Sequence, residues 1–559
     1  MSRLIVLSNR VKMPDDGPTA GGLAVALDDV LVGSSVIWMG WNGEVIETDD
    51  DFVTHEFSHS KLTTTVNADT KKAPTEITYM TTALTTKQYQ HYYCGFANSV
   101  LWLLLHERPE LISQAADDYA GYQAINRLFA KQLKKIIEPD DVIWVHDYHF
   151  LSVAYHCRQL GLNNRIGFFL HIPFAPLPFW QPLNQSSELI GHLAHYDVLG
   201  TQTLHDKANC LAVFQHYLKD NLLKESLSTS CHSLDSSRSA LYKKQSFAHS
   251  QSSADVQLKL NLKLRAAHYL LIKAYPIGVN VDRIQRQVNN LSLSYAKHTQ
   301  PDTTKSAAQQ IIAVDRIDYS KGLLERFLAY RYFLQQYPEY QNQLKLLQIA
   351  CPSRLDLPVY QRLYDEVRQA VSDVNQQFLP NHYPDDCANG YQTDAFEFNS
   401  VETDVAETSN LANHWRAITY SENVLCHERL MRAFWHSDVG WVNSLKDGMN
   451  LVAKEYIAAQ NPDNPGVLLL SCYAGAAEQM QAAVIIDPHQ SNSIIKGLKK
   501  ALTMPLEERQ SRHQTLLQGL QQDNLNVWQQ NFLDDLYDGK RRHAKSQHSA
   551  AIHMLDSQE

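Results

Sequence analysis

The sequence predicts an α/β protein built from doubly wound parallel sheets. Short, almost wholly apolar runs of strand length recur along the chain, and strands that are apolar on both faces belong to a sheet covered by helices on both sides. Between these runs lie helical patterns in which apolar residues recur at spacings of three and four. At 559 residues the chain is too long for one ordinary core. The alternation therefore predicts this arrangement twice.

The predicted elements follow one another in a regular order. The strands are expected at residues 4–7, 36–41, 142–145, 166–170, 311–314, 346–350, 467–470 and 483–486. The clearest helical patterns cover residues 321–337 and 428–436, where charged residues fill the positions between the apolar ones.

The domain boundary is predicted near Tyr275-Pro-Ile-Gly278, because a new series of strands and helices begins there. This gives domains of residues 1–278 and 279–500. Two segments are expected to be surface loops added to the domains: residues 226–255, which are rich in serine, and residues 379–412, which are acidic and lack Lys and Arg. Residues 539–559 are expected to form a solvated tail.

Composition excludes several classes of protein. A formal net charge of −10 argues against a nucleic-acid partner, which would need a broad basic surface. Eight cysteines without a CxxC pair indicate reduced thiols and a cytoplasmic location. The N-terminal apolar run is shorter than a secretory signal, and the apolar patches are too short for a membrane span.

Residues 437–456 run from an apolar strand through a glycine-containing turn directly into a helix. Backbone N–H groups at a helix N-terminus are unpaired within the helix and lie at the positive end of its dipole. The turn can therefore bind an anion through the amides of Gly448, Met449, Asn450 and Leu451. The carboxylates of Asp447 and Glu455 are good acceptors for hydroxyls. Together these residues predict a ligand with both phosphate and sugar groups, such as a nucleotide sugar.

Arg316 lies just beyond the predicted strand 311–314, and Lys321 starts the helix that follows. Arg binds phosphate oxygens as a fork and Lys as a point charge, so the two could hold a diphosphate. The alternative is that both are solvated and paired with Asp315 or Asp318. The anion-binding turn in the same domain favours the phosphate interpretation.

The N-terminal half offers a parallel set of residues at strand ends. His146-Asp-Tyr-His149 follows the strand 142–145, and we interpret Asp147 as an acceptor for a hydroxyl. A metal is the less favoured alternative, because no further ligand stands at a suitable spacing. For His171, at another strand end, a core histidine and a functional one stay equally open.

Three further features of this half belong to the same set. They are Arg10 after the first strand, the pair Gly21-Gly22 in a turn, and Trp38-Met-Gly-Trp41 after another strand. A glycine pair alone is weak support for a ligand site.

His55-Glu-Phe-Ser-His59 matches the HExxH signature of zinc peptidases. That signature binds zinc only on a helix, whereas residues 52–66 alternate as a surface strand does. We therefore reject a zinc site here. The chain also lacks GxGxxG, GxxxxGK[ST] and GxSxG motifs, which argues against a dehydrogenase, a P-loop kinase and an α/β-hydrolase.

Eleven segments, in order, resemble the trehalose-6-phosphate synthase family of retaining glucosyltransferases, and they cover nearly the whole chain up to about residue 537. They are LSNR (7–10), AGGLAV (20–25), WMGWNG (38–43), YYCGFANSVLW (92–102), VHDYH (145–149), FFLHIPF (168–174), YPIG (275–278), DRIDYSKGLLERFLAY (315–330), SDVG (437–440), KDGMNLVAKEY (446–456) and LSCYAGAA (470–477).

The resemblance implies a GT-B architecture, in which two Rossmann-like domains face each other across a cleft and terminal helices, here residues 501–538, cross back to the first domain. It implies transfer of glucose from UDP-glucose to glucose 6-phosphate, giving α,α-trehalose 6-phosphate and UDP, the first step in making an osmoprotectant. It further implies that no metal or other cofactor is needed. The oligomeric state, a homo-oligomer included, stays open.

The resemblance also implies residue roles. The catalytic residues would be His171, Arg316, Lys321 and Asp447. The donor would be bound by Gly21, Gly22, Arg316, Lys321, Leu425, Asp447, Gly448, Met449, Asn450, Leu451, Val452 and Glu455. The acceptor would be bound by Arg10, Trp41, Tyr93, Trp102, Asp147 and Arg354, with Arg10, Tyr93 and Arg354 directed at its phosphate.

The sequence departs from the family pattern in three places, one of which is the acidic insertion 379–412 between the acceptor-side Arg354 and the donor-binding segments. Ala175-Pro-Leu-Pro178 replaces the usual Pro and Pro-Glu, and Glu478-Gln479 reverses the usual order of a residue followed by Glu. Two alternatives remain: a glucosylglycerol-phosphate synthase that uses glycerol 3-phosphate, and a catalytically idle homologue. Retention of the whole residue set argues against both. The choice among UDP, ADP and GDP is not fixed by the sequence.

Overall fold

The computed structural model describes residues 2–11, 36–47, 58–64, 75–223, 255–296, 309–378 and 415–538. The predicted acidic loop 379–412, the tail 539–559, and nearly all of the serine-rich segment 226–255 lie outside these residues, as do Gly21 and Gly22. Among the described residues the chain forms two compact units. The first contains the residues up to Ile277 and those from Leu525 onward, and the second contains Gly278–Asn524.

The first unit is built on a nine-stranded sheet with the order β3-β4-β2-β1-β5-β6-β7-β9-β8. Among the strands that the structure describes, only the β3/β4 and β8/β9 pairs are antiparallel. Its strands are β1 Leu4–Arg10, β2 Val36–Ile46, β3 Ser58–Thr64, β4 Thr75–Thr85, β5 Val142–His146, β6 Arg165–Phe169, β7 Val198–Thr201, β8 Val256–Leu262 and β9 Arg265–Ala274. The parallel core β4-β2-β1-β5-β6-β7 has the doubly wound order, which reverses between β1 and β5.

The second unit has a six-stranded, wholly parallel sheet with the order β12-β11-β10-β13-β14-β15. Its strands are β10 Gln309–Arg316, β11 Leu344–Cys351, β12 Ile418–Ser421, β13 Val439–Val442, β14 Val467–Ser471 and β15 Val484–Ile486. Every residue of β14 is buried, as expected for a strand covered on both faces. The order reverses between β10 and β13, so ligand contacts are expected at their carboxyl ends.

Helices connect the strands of each unit. The first unit contains α1 Thr86–Gln88, α2 Trp102–Leu105, α3 Asp118–Ile136, α4 Val153–Gln159, α5 Leu177–Trp180, α6 Ser186–Leu193 and α7 Leu204–Tyr217, together with a π-helix Tyr89–Leu101 and 3₁₀ turns Pro109–Leu111 and Tyr148–Phe150. The second contains α8 Val281–Ala296, α9 Leu323–Gln336, α10 Pro358–Gln377, α11 His427–Trp435, α12 Leu451–Ala458, α13 Ser491–Leu502 and α14 Leu506–Gln522, with 3₁₀ turns Tyr319–Lys321, Pro338–Tyr340 and Gly475–Glu478. In the described part of the chain, no helix has both the length and the apolar character needed to cross a bilayer.

A final helix over residues 525–538, α15, returns to the first unit and packs on its sheet. The ring of Phe532 is fully buried there, stacked on Trp144 with ring centroids 4.9 Å apart. Two glycines make room for it, because a Cβ on Gly167 or Gly200 would lie 2.8 or 3.0 Å from Phe532 ring atoms. The predicted fold class, two doubly wound parallel sheets, is confirmed.

Candidate active site

In the second unit, the loops that follow β10 and β13 are joined by hydrogen bonds. Asn443 donates from Nδ2 to the carbonyl of Gly322 (2.8 Å), and the amide of Leu445 donates to the carbonyl of Ser320 (2.7 Å). Gly322 has a φ of 63°, a conformation that glycine adopts without steric cost. The two loops therefore form one rigid rim at the point where the strand order reverses.

Lys321 and Asp447 face each other across this rim. The Lys321 Nζ lies 2.5 Å from Oδ2 of Asp447, and both side chains are only 12 to 13% exposed. The same oxygen accepts hydrogen bonds from Ser444 Oγ and Asn450 Nδ2, each at 3.0 Å. Three donors, one of them the ammonium of Lys321, thus hold the carboxylate in one orientation.

Helix α12 begins at this carboxylate. Asn450 caps it, with a φ of 69° and a side-chain oxygen that accepts from the amide of Ala453 (3.1 Å). Gly448 and Met449 are buried just before the helix, and the Met449 carbonyl accepts from Ala476 (2.8 Å). The strand-turn-helix arrangement predicted for residues 437–456 is present, and the first amides of α12 lie at the positive end of the helix dipole.

Two ionisable residues on α12 have strongly shifted pKa values. Burial raises the pKa of Glu455 to about 7, and its carboxylate lies 3.9 Å from Nε2 of His427. Burial lowers the pKa of Lys454 to about 7, and its ammonium donates to Oε1 of Gln479 at 2.8 Å. Gln479 is the residue that replaces the glutamate of the family pattern, so a neutral amide here meets the buried lysine.

The remaining donor residues of the second unit lie near the same strands. Arg316 ends β10, opposite Cys351 of β11, and Leu425 is half-buried two residues before α11. Asp315 pairs with Arg326 of α9 at 2.5 Å. The alternative interpretation of the sequence pairs Arg316 and Lys321 with Asp315 or Asp318. In the structure Asp315 contacts Arg326 and Lys321 contacts Asp447, so these two contacts differ from that alternative.

Arg354, predicted to bind the acceptor phosphate, belongs to the second unit. Its guanidinium donates to Asp318 Oδ2 (2.6 Å) and to Tyr360 Oη (3.2 Å), and its side chain is 6% exposed. Its φ is 53°. The structure pairs Arg354 with Asp318, and its role at an acceptor phosphate stays a prediction.

In the first unit, β1 and β2 place Arg10 opposite Trp41. The exposed guanidinium of Arg10 lies against Gly43, where a Cβ would come within 2.8 Å of it. Trp41 contacts the ring of Tyr93 (centroids 5.7 Å apart), and Tyr93 stacks on His149 at 5.9 Å with an interplanar angle of 7°. A cation and a layer of aromatic rings are thus brought together from four separate segments.

Trp102 joins the same layer through the short turn Tyr148–Phe150. Its ring lies 5.6 Å from that of Tyr148, which in turn lies 4.0 Å from His149. Tyr93 lies within the π-helix and Trp102 immediately follows it. Runs with i→i+5 hydrogen bonds are rare and occur often at functional sites.

The third group in this unit lies at the ends of β5 and β6. His146 Nδ1 is 3.0 Å from His171 Nε2, and Asp147 Oδ1 accepts from the backbone amide of His171 at 3.3 Å. Asp147 has φ 74° and ψ 167°, a region that residues other than glycine rarely occupy and that is often associated with functional sites.

Sequence reasoning missed several residues of these groups. The sequence assigns no separate role to Tyr148 and His149, which appear there only within a motif. Trp528 of α15 lies 6.2 Å from His171, and no sequence pattern indicates this contact. His59 of the HExxH motif lies in β3, not in a helix. Among the described residues, no cluster of His, Cys, Asp and Glu is arranged to hold a metal ion.

Two parallel-sheet α/β units, one with a lysine–carboxylate pair at a helix N-terminus, are typical of glycosyltransferases that use a nucleotide sugar. Residues 9–384 and 392–538 match the model of glycosyltransferase family 20. The chain belongs to this family, as the sequence motifs predicted.

Individual relatives agree with this assignment. The chain is 34% identical to a trehalose-6-phosphate synthase of Sodalis glossinidius over 537 residues, which cover 96% of each chain. It is similar to the α,α-trehalose-phosphate synthase (UDP-forming) from Burkholderia xenovorans in complex with glucose-6-phosphate (31% identity, TM-score 0.74, 96% of this chain and 100% of that one). It is also similar to a structure named trehalose-6-phosphate from E. coli bound with UDP-2-fluoro glucose (31% identity, TM-score 0.73, 96% and 99%).

Proposed function

We propose that this protein is a retaining glucosyltransferase that moves glucose from UDP-glucose to glucose 6-phosphate and releases α,α-trehalose 6-phosphate and UDP. The observation that carries the proposal is the contact between Lys321 and Asp447 at the N-terminus of α12. One site there offers a cation and helix amides for a diphosphate, and a carboxylate for sugar hydroxyls.

The donor is assigned to the second unit. Arg316 and Lys321 bind the diphosphate, and the amides at the start of α12 contact its oxygens. Asp447 accepts hydrogen bonds from glucose hydroxyls, and Glu455 accepts them from the ribose. Val452 and Leu425 complete the donor site of the second unit. Gly21 and Gly22, which lie outside the described residues, are also proposed as donor ligands.

The acceptor is assigned chiefly to the first unit. Arg10 is a cation suited to the 6-phosphate, and Tyr93 and Trp102 offer ring faces on which a hexose can pack. The carboxylate of Asp147 accepts a hydrogen bond from a sugar hydroxyl. Arg354 is proposed as a second ligand of the phosphate, in which case its contact with Asp318 has to be exchanged for the acceptor.

Charge separation defines the reaction. The bond between the anomeric carbon and the phosphate oxygen breaks with its electron pair going to UDP, and the anomeric hydroxyl oxygen of the acceptor forms the new bond on the same face. The acceptor proton passes to the departing phosphate oxygen. Arg316, Lys321 and the α12 amides stabilise the negative charge as it develops on UDP. These groups are the basis for proposing a metal-independent reaction, and the scattered cysteines support a cytoplasmic location.

The test is a panel of UDP-, ADP- and GDP-glucose, each offered with glucose 6-phosphate or glycerol 3-phosphate to the purified protein, with and without EDTA. We expect nucleotide release only with UDP-glucose and glucose 6-phosphate, unchanged by EDTA, and an α,α product by NMR. Turnover with glycerol 3-phosphate alone would support the glucosylglycerol-phosphate synthase alternative instead, and no release with any pair would indicate an idle homologue.

A further inference from the structure

His146 and His171 form a directly bonded pair of neutral imidazoles. The Nδ1 of His146 is 3.0 Å from the Nε2 of His171. His146 is fully buried and His171 is half-buried. Burial lowers the pKa of His146 well below its ordinary value and that of His171 to about 3. Each ring therefore carries a single N–H, and only one of the two can donate in the bond between them.

The surroundings of His146 decide which ring donates. Its Nε2 is buried and has no hydrogen-bond partner among the described residues. If His171 donated, the proton of His146 would sit on this Nε2 as a buried, unpaired N–H group. If His146 donates from Nδ1, its Nε2 is only an unused acceptor. Buried donors without partners are rarer than buried acceptors without partners, so the second arrangement is favoured.

We propose that His146 is a positioning residue that donates from Nδ1 to Nε2 of His171, and thereby fixes His171 as the tautomer with its proton on Nδ1. The proposal deepens the proposed function and rests on it, because His171 is taken to contact the donor glucose. His171 then acts toward the sugar as a hydrogen-bond donor.

Aromatic rings pack against both histidines. Trp144 lies 4.5 Å from His146, and Phe169 lies 4.7 Å from His171 in an edge contact. Trp528 of α15 lies 6.2 Å from His171 on the same side of the sheet. The backbone of His171 is held in addition by Asp147.

The tautomer restricts what His171 can do. With Nε2 accepting from His146 and Nδ1 protonated, the ring has no lone pair left to take a proton from the acceptor hydroxyl. It can donate to a hydroxyl oxygen of glucose and orient the sugar while the anomeric bond breaks. The acceptor proton then has to go to the departing phosphate oxygen.

Three variants of similar size separate the roles of His146. His146→Asn keeps a donor near the Nδ1 position, His146→Leu offers neither donor nor acceptor, and His146→Asp offers an acceptor that demands the opposite tautomer. We expect kcat within about threefold of wild type for Asn, a loss of about tenfold for Leu and a larger loss for Asp. The KM for glucose 6-phosphate should not change. Equal kcat values for Asn and Leu would overturn the proposal.

A matched control is His195→Leu. His195 is also a buried histidine of the first unit with no Nε2 partner in the described residues, and its Nδ1 pairs with the Gly191 carbonyl. We expect its kcat to stay within about twofold of wild type. A loss equal to that of His146→Leu would mean that disturbing any buried histidine suffices. Binding of UDP, which lacks glucose, should be the same in all four variants.

A second measurement does not depend on activity. In protein labelled with ¹⁵N-histidine, the His171 signals are identified by their loss in His171→Gln. We expect a bonded proton on Nδ1 and an unprotonated Nε2, and loss of this preference in His146→Asp. A proton found on Nε2 in the wild type would refute the tautomer. If the wild-type protein showed the expected tautomer but transferred no glucose, the proposed function would be wrong and the tautomer assignment would stand.

Discussion

The two groups of site residues are held together by different forces. In the second unit, Lys321 and Asp447 form a charged contact of 2.5 Å fixed by neighbouring polar side chains. In the first unit, Tyr93 and His149 stack as neutral rings, and the nearby pair His146 and His171 is kept uncharged by burial. The difference fits the proposed reaction, in which the second unit stabilises the departing anion and the neutral rings of the first unit orient the sugars.

We therefore expect the two units to respond differently to substitution. Function in the second unit should be sensitive to the removal of a charged group. Function and stability in the first unit should be sensitive to a change in the volume of a buried side chain, or to the protonation of a single buried histidine.

Arg316→Ala should cause the largest loss. Without this cation at the end of β10, the charge developing on UDP is less well stabilised, and loss of one such group costs about 100- to 1,000-fold in kcat. A UDP-release assay measures it, with KM for glucose 6-phosphate expected to stay near wild type. Arg362→Ala, which removes an exposed arginine from α10, is the control. Near-normal turnover in Arg316→Ala would refute the assignment.

Phe532→Ala should destabilise the first unit. The ring is fully buried between Trp144 and the glycine positions 167 and 200, so its removal leaves a cavity and should lower the free energy of unfolding by about 3–5 kcal/mol. Urea unfolding gives the value. Val527→Ala, on the same helix but 36% exposed, should change it by less than about 1 kcal/mol. Similar effects for the two variants would contradict the packing of α15.

Acid should destabilise the protein through buried histidines of the first unit. Burial lowers the pKa of His192 to about 3, and those of His195 and His268 to about 4, whereas the unfolded value is about 6.5. The unfolded chain therefore binds protons first as the pH falls. Stability from these groups is present above pH 6.5 and is lost below it, by about 1 kcal/mol per histidine between pH 6.5 and 5.5.

Urea unfolding at these two pH values measures the loss. His192→Gln should reduce this loss of unfolding free energy by about 1 kcal/mol, the contribution of one histidine, because glutamine does not titrate. His489→Gln, at an exposed position of the second unit, is the control and should change the free energy of unfolding by less than about 1 kcal/mol. An unchanged slope in His192→Gln would contradict the role of His192.

Glu455→Gln should have the smallest effect, which is a change in the number of protons released when UDP binds. Burial raises the pKa of Glu455 to about 7, and ribose hydroxyls would donate to its ionised form. UDP binding at pH 6.5 should then release about half a proton or more. Calorimetry in buffers of different ionisation enthalpy should show that this release is smaller in Glu455→Gln. Equal proton release in the two proteins would remove Glu455 from the nucleotide site.

The second-unit site could largely be predicted from the sequence. Lys321, Asp447 and Asn450 each lie within a few residues of a strand end or a helix start, and the doubly wound order brings the ends of β10 and β13 together. Local pattern and topology are therefore sufficient. What could not be predicted was the pairing of Arg354 with Asp318, because a side chain's partner depends on tertiary distances.

The first-unit site was less accessible to prediction. Its aromatic layer combines β2, the π-helix and the loop after β5, and no spacing in the chain encodes the stacking of Tyr93 on His149. Trp528 reaches His171 only because α15 folds back onto the sheet more than 350 residues later in the chain. The bond between His146 and His171 depends on the register of β5 and β6, which sequence periodicity does not give.

The π-helix Tyr89–Leu101 has a consequence for how this chain can vary. With i→i+5 hydrogen bonds a turn takes about 4.4 residues, so the nine steps from Tyr93 to Trp102 make about two full turns and place both rings on the same side. In an α-helix, with about 3.6 residues per turn, the same nine steps would make two and a half turns and place them on opposite sides. Inserting or deleting a single residue here would rotate Trp102 by roughly 80° away from Tyr148. The length of this segment therefore sets the relative direction of the Tyr93 and Trp102 rings.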